Sequence, residues 1–200
     1  MSPIVLDHNI FHFINSDIAN PFFDRLMPLM TDLHKEPLFW LMTVTWIIIQ
    51  IALPAALHKE RFFEIARMRA KRWALGIVVL ILALGLADFV TYRGIKIWVQ
   101  RPRPEAVGLN PILRTHAHSG WSFPSNHSAN NFALARTISV LAPPYAAAAY
   151  IFASSVAISR IYVGVHFPSD VLVGGILGWL IASLMLIIAR RSGVLKTFES

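Results

Sequence analysis

The 200-residue chain contains no cysteine. That excludes disulfides, thiolate nucleophiles and thiolate metal sites, and it says nothing of redox compartment. Charge is also sparse: 14% of residues are Asp, Glu, Lys or Arg, against about 25% in a soluble domain. Acids are the scarcer sign, 11 against 18 basic residues. The N-terminus lacks a basic stretch, and Asp7, His8 and Asn9 interrupt any early apolar run, so no cleavable signal peptide is expected. No internal repeat or low-complexity tract is evident. What fills the chain is apolar: 56% of residues are hydrophobic and the mean hydropathy is +0.55. These features describe an all-α integral membrane protein of one domain. In that class a net charge of +7 marks cytoplasmic loops, and no nucleic-acid partner is expected. Nothing in the sequence sets the oligomeric state.

A span needs about 20 mostly apolar residues. The candidates are 38–57, 74–92 and 170–189, together with a pair, 127–142 and 145–160, joined by Pro143-Pro144 and short or polar at one end, as expected where a site is built on them. Residues 3–33 mix Ile10, Phe11, Phe13 and Ile14 with Asp7, His12 and Asp17, and are interrupted by Pro21 and Pro28. They read as an interfacial amphipathic segment within 1–37, so the expected count is five transmembrane helices, or six if 3–33 includes a span. Residues 58–73 hold six Lys or Arg, and Arg190 and Arg191 follow the last span. Short basic loops stay in the cytoplasm. With five spans both basic segments then lie on the cytoplasmic side, and 93–126 and 159–170 lie together on the other.

Three polar clusters fall on that second face. The first is Lys96 with Arg103-Pro104, the second Pro124-Ser125-Asn126-His127, and the third Ser159-Arg160 with His166 and Asp170. A phosphate ester is a multivalent anion, and Lys96, Arg103 and Arg160 are cations suited to it, Arg through its two-pronged donor geometry. Pro124-Ser125 and Pro168 stand where helices should begin, and the N–H groups of helix starts attract anions. Ser125 and the backbone of Asn126 can therefore hold phosphoryl oxygens, although Ser125 also fits a plain N-cap. His166 and Asp170 are four apart, a spacing that lets the carboxylate fix the imidazole tautomer and leaves the other nitrogen as nucleophile. His127 is placed to act as the acid.

The order and spacing of these clusters resemble the type 2 phosphatidic acid phosphatase (PAP2) superfamily of membrane lipid phosphatases. That pattern is Lys, six residues, Arg-Pro; then Pro-Ser-Gly-His; then Ser-Arg, five residues, His, three residues, Asp. The chain matches it with one departure, Asn126 in place of Gly, and the spacing selects Arg103 over Arg101. The resemblance covers roughly 74–189, the catalytic helices of a single 1–200 domain. It implies a phosphohistidine at His166 oriented by Asp170, with His127 as acid and then base. Lys96, Arg103, Ser125, Asn126 and Arg160 are the implied phosphate ligands, with no metal or cofactor. A lipid phosphate or diphosphate is the implied substrate, in a bacterial inner membrane with the site facing the periplasm. Undecaprenyl diphosphate, phosphatidylglycerol phosphate, phosphatidate and lipid A phosphate all present such an anion. The competing reading is a carrier of anionic lipids or solutes using the same cations, but carriers bind near the midplane and often show repeated halves.

Lesser features complete the reading. His116 and His118 precede the second cluster and fit either solvated loop positions or head-group contacts. Trp98, Trp121 and Phe123 fit an interfacial aromatic belt. Ala146 to Ala149 and Gly174, Gly175 and Gly178 fit close helix packing. Asp88 and Arg136 are ionisable groups within spans, which are costly there. Counting about 1.5 Å per residue from Lys96 and His127 puts both at similar depth, so they are expected to form an ion pair.

Overall fold

The computed structural model describes residues 2–116 and 119–192; His118 lies outside them. All regular structure among the described residues is helical. Helix α1 spans Pro3–His12 and runs into a π-helical turn, Phe13–Asp17. Helix α2 is Pro21–Asp32 and α3 is Pro37–Ala56. Helix α4, Phe62–Phe89, is extended by a π-helical turn, Val90–Lys96, and a single α turn, α5, Ile97–Val99. After an irregular stretch come α6, Asn126–Leu141, α7, Ala146–Tyr162, and α8, Pro168–Arg191. Helices α1, α2, α3 and α8 open on proline, whose fixed φ and missing N–H suit a first turn.

Among the described residues, three stretches are long and apolar enough to cross a membrane: Pro37–Ala56, one within Phe62–Val107, and Pro168–Arg191. Helices α6 and α7 have 16 and 17 residues, about 24–26 Å at 1.5 Å per residue, short of a hydrocarbon core of about 30 Å. The basic segment 58–73 is mostly helix rather than loop, because α4 begins at Phe62. One of its cations caps another helix. Arg72 donates to the carbonyls of Val140 (3.1 Å) and Leu141 (2.6 Å), which have no acceptor role inside the last turn of α6.

Residues 3–33 also differ from a flat interfacial segment. Pro28 lies inside α2 instead of breaking it, and α2 packs lengthwise on α7. Phe23 meets Tyr162 with ring centroids 6.0 Å apart. Leu29 and Leu33 share a groove with Ala148 and Phe152, farther back along α7. Asn20 starts α2 by accepting the N–H groups of Phe22 and Phe23.

Small residues set the core. Ala83 and Ala87 of α4, Ala129 and Ala133 of α6 and Ala182 of α8 share one buried cluster. Helix α8 crosses α6 so closely that a Cβ on Gly178 would stand 1.9 Å from the Ala129 carbonyl oxygen, and one on Gly174 2.4 Å from that of Ser125. Without side chains at these points the backbones can touch, and the touch at Gly174 seats Ser125 beside the start of α8. Gly178→Ala should therefore cost about 3 kcal/mol, since backbone cannot yield as a side chain does. Gly85→Ala, whose added Cβ meets nothing within 4 Å, should leave stability unchanged or slightly raised. Thermal unfolding of the two variants in detergent checks the contrast.

Candidate active site

The three clusters meet at one end of the bundle, where α4 and its π-helical extension finish, α6 and α8 begin, and α7 ends. Ser125 is the N-cap of α6, and its backbone N–H donates to the Asp170 carbonyl at 3.0 Å. One main-chain bond thus joins the second cluster to the third. Ser125 and Asp170 are both fully buried. The serine hydroxyl accepts the Ser128 N–H at 3.4 Å, so Ser125 is an N-cap as well as a site residue.

His166 is 3% exposed, and its Nδ1 is 3.4 Å from Oδ2 of Asp170. The same Oδ2 accepts the N–H of Phe167, the α8 N-cap residue, at 2.8 Å. This is the backward half of a capping box, and it holds the carboxylate under the imidazole. On the other side of the ring, Nε2 lies 3.4 Å from Nη1 of Arg103.

Arg103 and Lys96 are both buried. Arg103 donates to the carbonyls of Gly120 (3.0 Å) and Val165 (2.7 Å), and reaches that of Trp121 at 3.5 Å. Lys96 Nζ donates to the same Trp121 carbonyl at 2.8 Å. Among the described residues neither cation forms an ion pair with a carboxylate. A buried charge held only by neutral dipoles leaves a strongly positive site. Arg160, 1% exposed, donates to Thr31 Oγ1 of α2 at 2.8 Å. His127, half-buried on the first turn of α6, accepts at its carbonyl from Asn131 Nδ2. Trp121 contributes through its main chain, a role that an aromatic belt does not foresee.

Arg101, which motif spacing sets aside, is tied into the site as well. It donates to Oδ1 of Asp170 at 2.8 Å and to Ser169 Oγ at 2.6 Å, and it pairs with Asp7 of α1. The sequence signal for this was faint: the lone carboxylate of α1, 94 positions away.

The expected Asp88–Arg136 pair does not form. No ion pair among the described residues joins them. Asp88 Oδ1 accepts from Asn126 Nδ2 (2.9 Å) and Asn130 Nδ2 (3.4 Å). Arg136 donates to Ser183 (2.8 Å) and Ser139 (3.1 Å) and lies over the Trp179 ring at 5.5 Å. The depth count fails because it sets Lys96 level with His127, whereas Asp88 itself meets Asn126 and Asn130. That leaves Asp88 level with the first two turns of α6, about six residues or 9 Å short of Arg136. Asn126, the departure from Gly, is thereby drawn toward Asp88. Asp88→Ala should raise the Michaelis constant for a lipid phosphate by freeing the Asn126 side chain, and should do so far less in an Asn126→Gly background. A coupling of about 1 kcal/mol in that double-mutant cycle is expected. Equal increments in both backgrounds would place the role of Asp88 elsewhere.

Comparison with known proteins bears on the whole arrangement. A family model described as the PAP2 superfamily matches residues 73–193, more than half of the chain and all three clusters. The lipid A 4'-phosphatase of Bacteroides thetaiotaomicron is 25% identical over 193 residues, covering 93% of this chain and 78% of that protein. Phosphatidylglycerophosphatase B of Bacillus subtilis is 34% identical over 119 residues, covering 54% of this chain and 55% of that protein. The match to this second relative thus spans about half its length. The crystal structure of the first transmembrane PAP2 type phosphatidylglycerolphosphate phosphatase from Bacillus subtilis superposes with a TM-score of 0.62 at 24% identity, covering 95% of this chain and 88% of that one. At that identity the superposition speaks for the helical fold, while the family match spans the motifs themselves: the chain belongs to the PAP2 superfamily of membrane phosphoric ester hydrolases.

Proposed function

We propose that the chain removes a phosphate from a membrane lipid phosphate or diphosphate by way of a phosphohistidine on His166. One observation carries the reading: the buried cations Lys96 and Arg103 lack a carboxylate partner among the described residues and sit on the Nε2 side of an imidazole whose Nδ1 faces Asp170. A phosphoryl dianion neutralises those cations, and Nε2 is then the nitrogen directed at phosphorus.

The reaction runs in two displacements. The Nε2 lone pair forms an N–P bond as the P–O bond to the lipid breaks, and protonated His127 gives its proton to the departing oxygen. Asp170 stabilises the charge that develops on the His166 ring. Neutral His127 then takes a proton from water as the water oxygen attacks phosphorus. The N–P bond breaks, inorganic phosphate leaves, and both histidines return to their starting states. Lys96, Arg103, Arg160, Ser125 and the Asn126 N–H hold the phosphoryl oxygens, whose charge grows along the path. A histidine nucleophile makes a metal-bound hydroxide unnecessary.

The substrate class is an envelope lipid, with undecaprenyl diphosphate, phosphatidylglycerol phosphate and lipid A phosphate as its members to test. The names of the relatives, two phosphatases of lipid A and phosphatidylglycerol phosphate, support that set. The favoured placement is a bacterial inner membrane, crossed by α3, α4, α6, α7 and α8 as one domain, with the site on the periplasmic face. Support for the orientation comes from the opposite end of the bundle, where the start of α4 and Arg190 and Arg191 gather the basic residues. A carrier would bind near the midplane, whereas these residues lie at helix ends.

Phosphate release from a panel of those lipids tests the chemistry. His166→Ala should lose at least about a thousand-fold in turnover. His127→Ala should lose roughly 10²- to 10⁴-fold on lipid esters and much less on a phosphate ester with a good leaving group, with acid-labile phosphohistidine accumulating. Full activity of His166→Ala on every lipid rules the mechanism out. Orientation is tested by single cysteines in this cysteine-free chain. A cysteine at Met68 should be shielded from an impermeant maleimide in intact cells, and one at Val107 should be labelled.

A further inference from the structure

Asp7 is a buried carboxylate on a helix whose outer side exposes Ile4, Val5, Leu6 and Ile10. Burial of a charge demands partners, and those partners lead to the catalytic histidine. Asp7 Oδ1 accepts the N–H of Ser169 at 2.9 Å, and Oδ2 accepts the Ser169 hydroxyl at 2.7 Å. Oδ2 also accepts from Nη2 of Arg101. The other arm of the same guanidinium, Nη1, donates to Asp170 Oδ1 and to Ser169 Oγ. The remaining oxygen of Asp170 faces His166 Nδ1. Charges therefore alternate along Asp7, Arg101 and Asp170, and the path ends at the His166 ring.

The ring of Phe167, next in sequence to His166, reinforces that path. The Arg101 guanidinium lies 4.0 Å from its centroid. From α1, His8 stacks on it at 5.2 Å and Phe11 meets it at 5.6 Å. Helix α1 thus grips the start of α8 through charge and through aromatic contact, at the residues flanking the nucleophile.

We propose that Asp7 and Arg101 are positioning residues for His166, so that turnover requires α1 to be docked on the start of α8. Neither residue touches the phosphoryl group in this role. Arg101 holds Oδ1 of Asp170, which leaves Oδ2 turned toward the imidazole, and Asp7 holds Arg101 in that orientation. The inference rests on the reading of His166 as nucleophile. It predicts losses in the chemical step with substrate binding intact, because Lys96 and Arg103 are held by main-chain carbonyls that do not involve α1.

The test uses the purified full-length protein in detergent micelles with undecaprenyl diphosphate, phosphatidylglycerol phosphate and phosphatidate as probes. Asp7→Ala and Arg101→Ala should each lower kcat roughly 10- to 100-fold, the size expected of a displaced catalytic group, with KM within about two-fold of wild type. Asp7→Glu should recover most of the loss. Arg101→Lys should not, since an ammonium cannot bridge two carboxylates as a planar fork does. Thermal unfolding is followed in parallel. Should the alanine variants fail to fold, Ser169→Ala decides: it removes the hydroxyl that bonds both Asp7 and Arg101 without removing a charge, and should lower kcat at an unchanged Tm. Wild-type kcat in these variants while His166→Ala is dead overturns this inference alone, as does a loss shared equally by KM and by the folded fraction. An active His166→Ala overturns the functional reading beneath it.

Discussion

The carboxylate of Asp170 is the constraint on which the site is built. It is fully buried, and a buried carboxylate is tolerated only when its oxygens are met. Oδ2 takes the Phe167 N–H and faces His166, and Oδ1 takes Arg101. The main-chain carbonyl of the same residue takes the Ser125 N–H. Meeting these demands requires four segments to converge: the start of α8, the start of α6, the stretch after α5, and α1 through Asp7. Remove any one and a buried charge or donor loses its partner, so the local chemistry of one residue dictates the arrangement of the bundle end.

The scarcity of acids acquires a meaning in that arrangement. Asp7 and Asp170 are engaged with Arg101, and Asp24 accepts from Tyr162 and Arg114. With Tyr162 donating to it and Arg114 beside it, the Asp24 carboxyl is held below the usual carboxylate range. Lys96 and Arg103 meet carbonyl oxygens and, for Arg103, the His166 ring. Among the described residues neither is paired directly with a carboxylate, which suits a dianion arriving at the membrane surface. The helix packing serves the same end. A glycine at 174 brings the α8 backbone against Ser125, so the close crossing of α6 and α8 and the joining of the second and third clusters are one event.

Much of this was legible in residue order. Pro124-Ser125 and Pro168 mark the starts of α6 and α8 because proline suits a first turn, whereas Pro21, read as an interruption, opens α2. The spacing that selects Arg103 over Arg101 also selects an arginine that lies 3.4 Å from His166 Nε2. Other readings failed for physical reasons. A basic segment looks like a loop, but Arg and Lys are good helix formers, and 62–73 is the first part of α4. Asp88 and Arg136 looked equally deep on the assumption that Lys96 and His127 are level, which the contact of Asp88 with Asn126 breaks. Arg101 was set aside because a motif describes what neighbours in sequence repeat, and the partner that explains Arg101 lies 94 positions away.

Sequence by itself determined the class of the protein, the helix starts, the inventory of phosphate chemistry and the segments that carry it. Those follow from local properties: hydropathy, proline geometry, and residue types at short fixed spacing. Tertiary structure alone decided which charges pair, that Asn126 belongs with Asp88, that α2 lies along α7, and that the N-terminal helix reaches Asp170 through Arg101. Pairing of buried charges depends on which backbones approach within a few ångströms, and that is set by small residues such as Gly174 and Gly178 acting across helices, where no pattern along the chain records the partner.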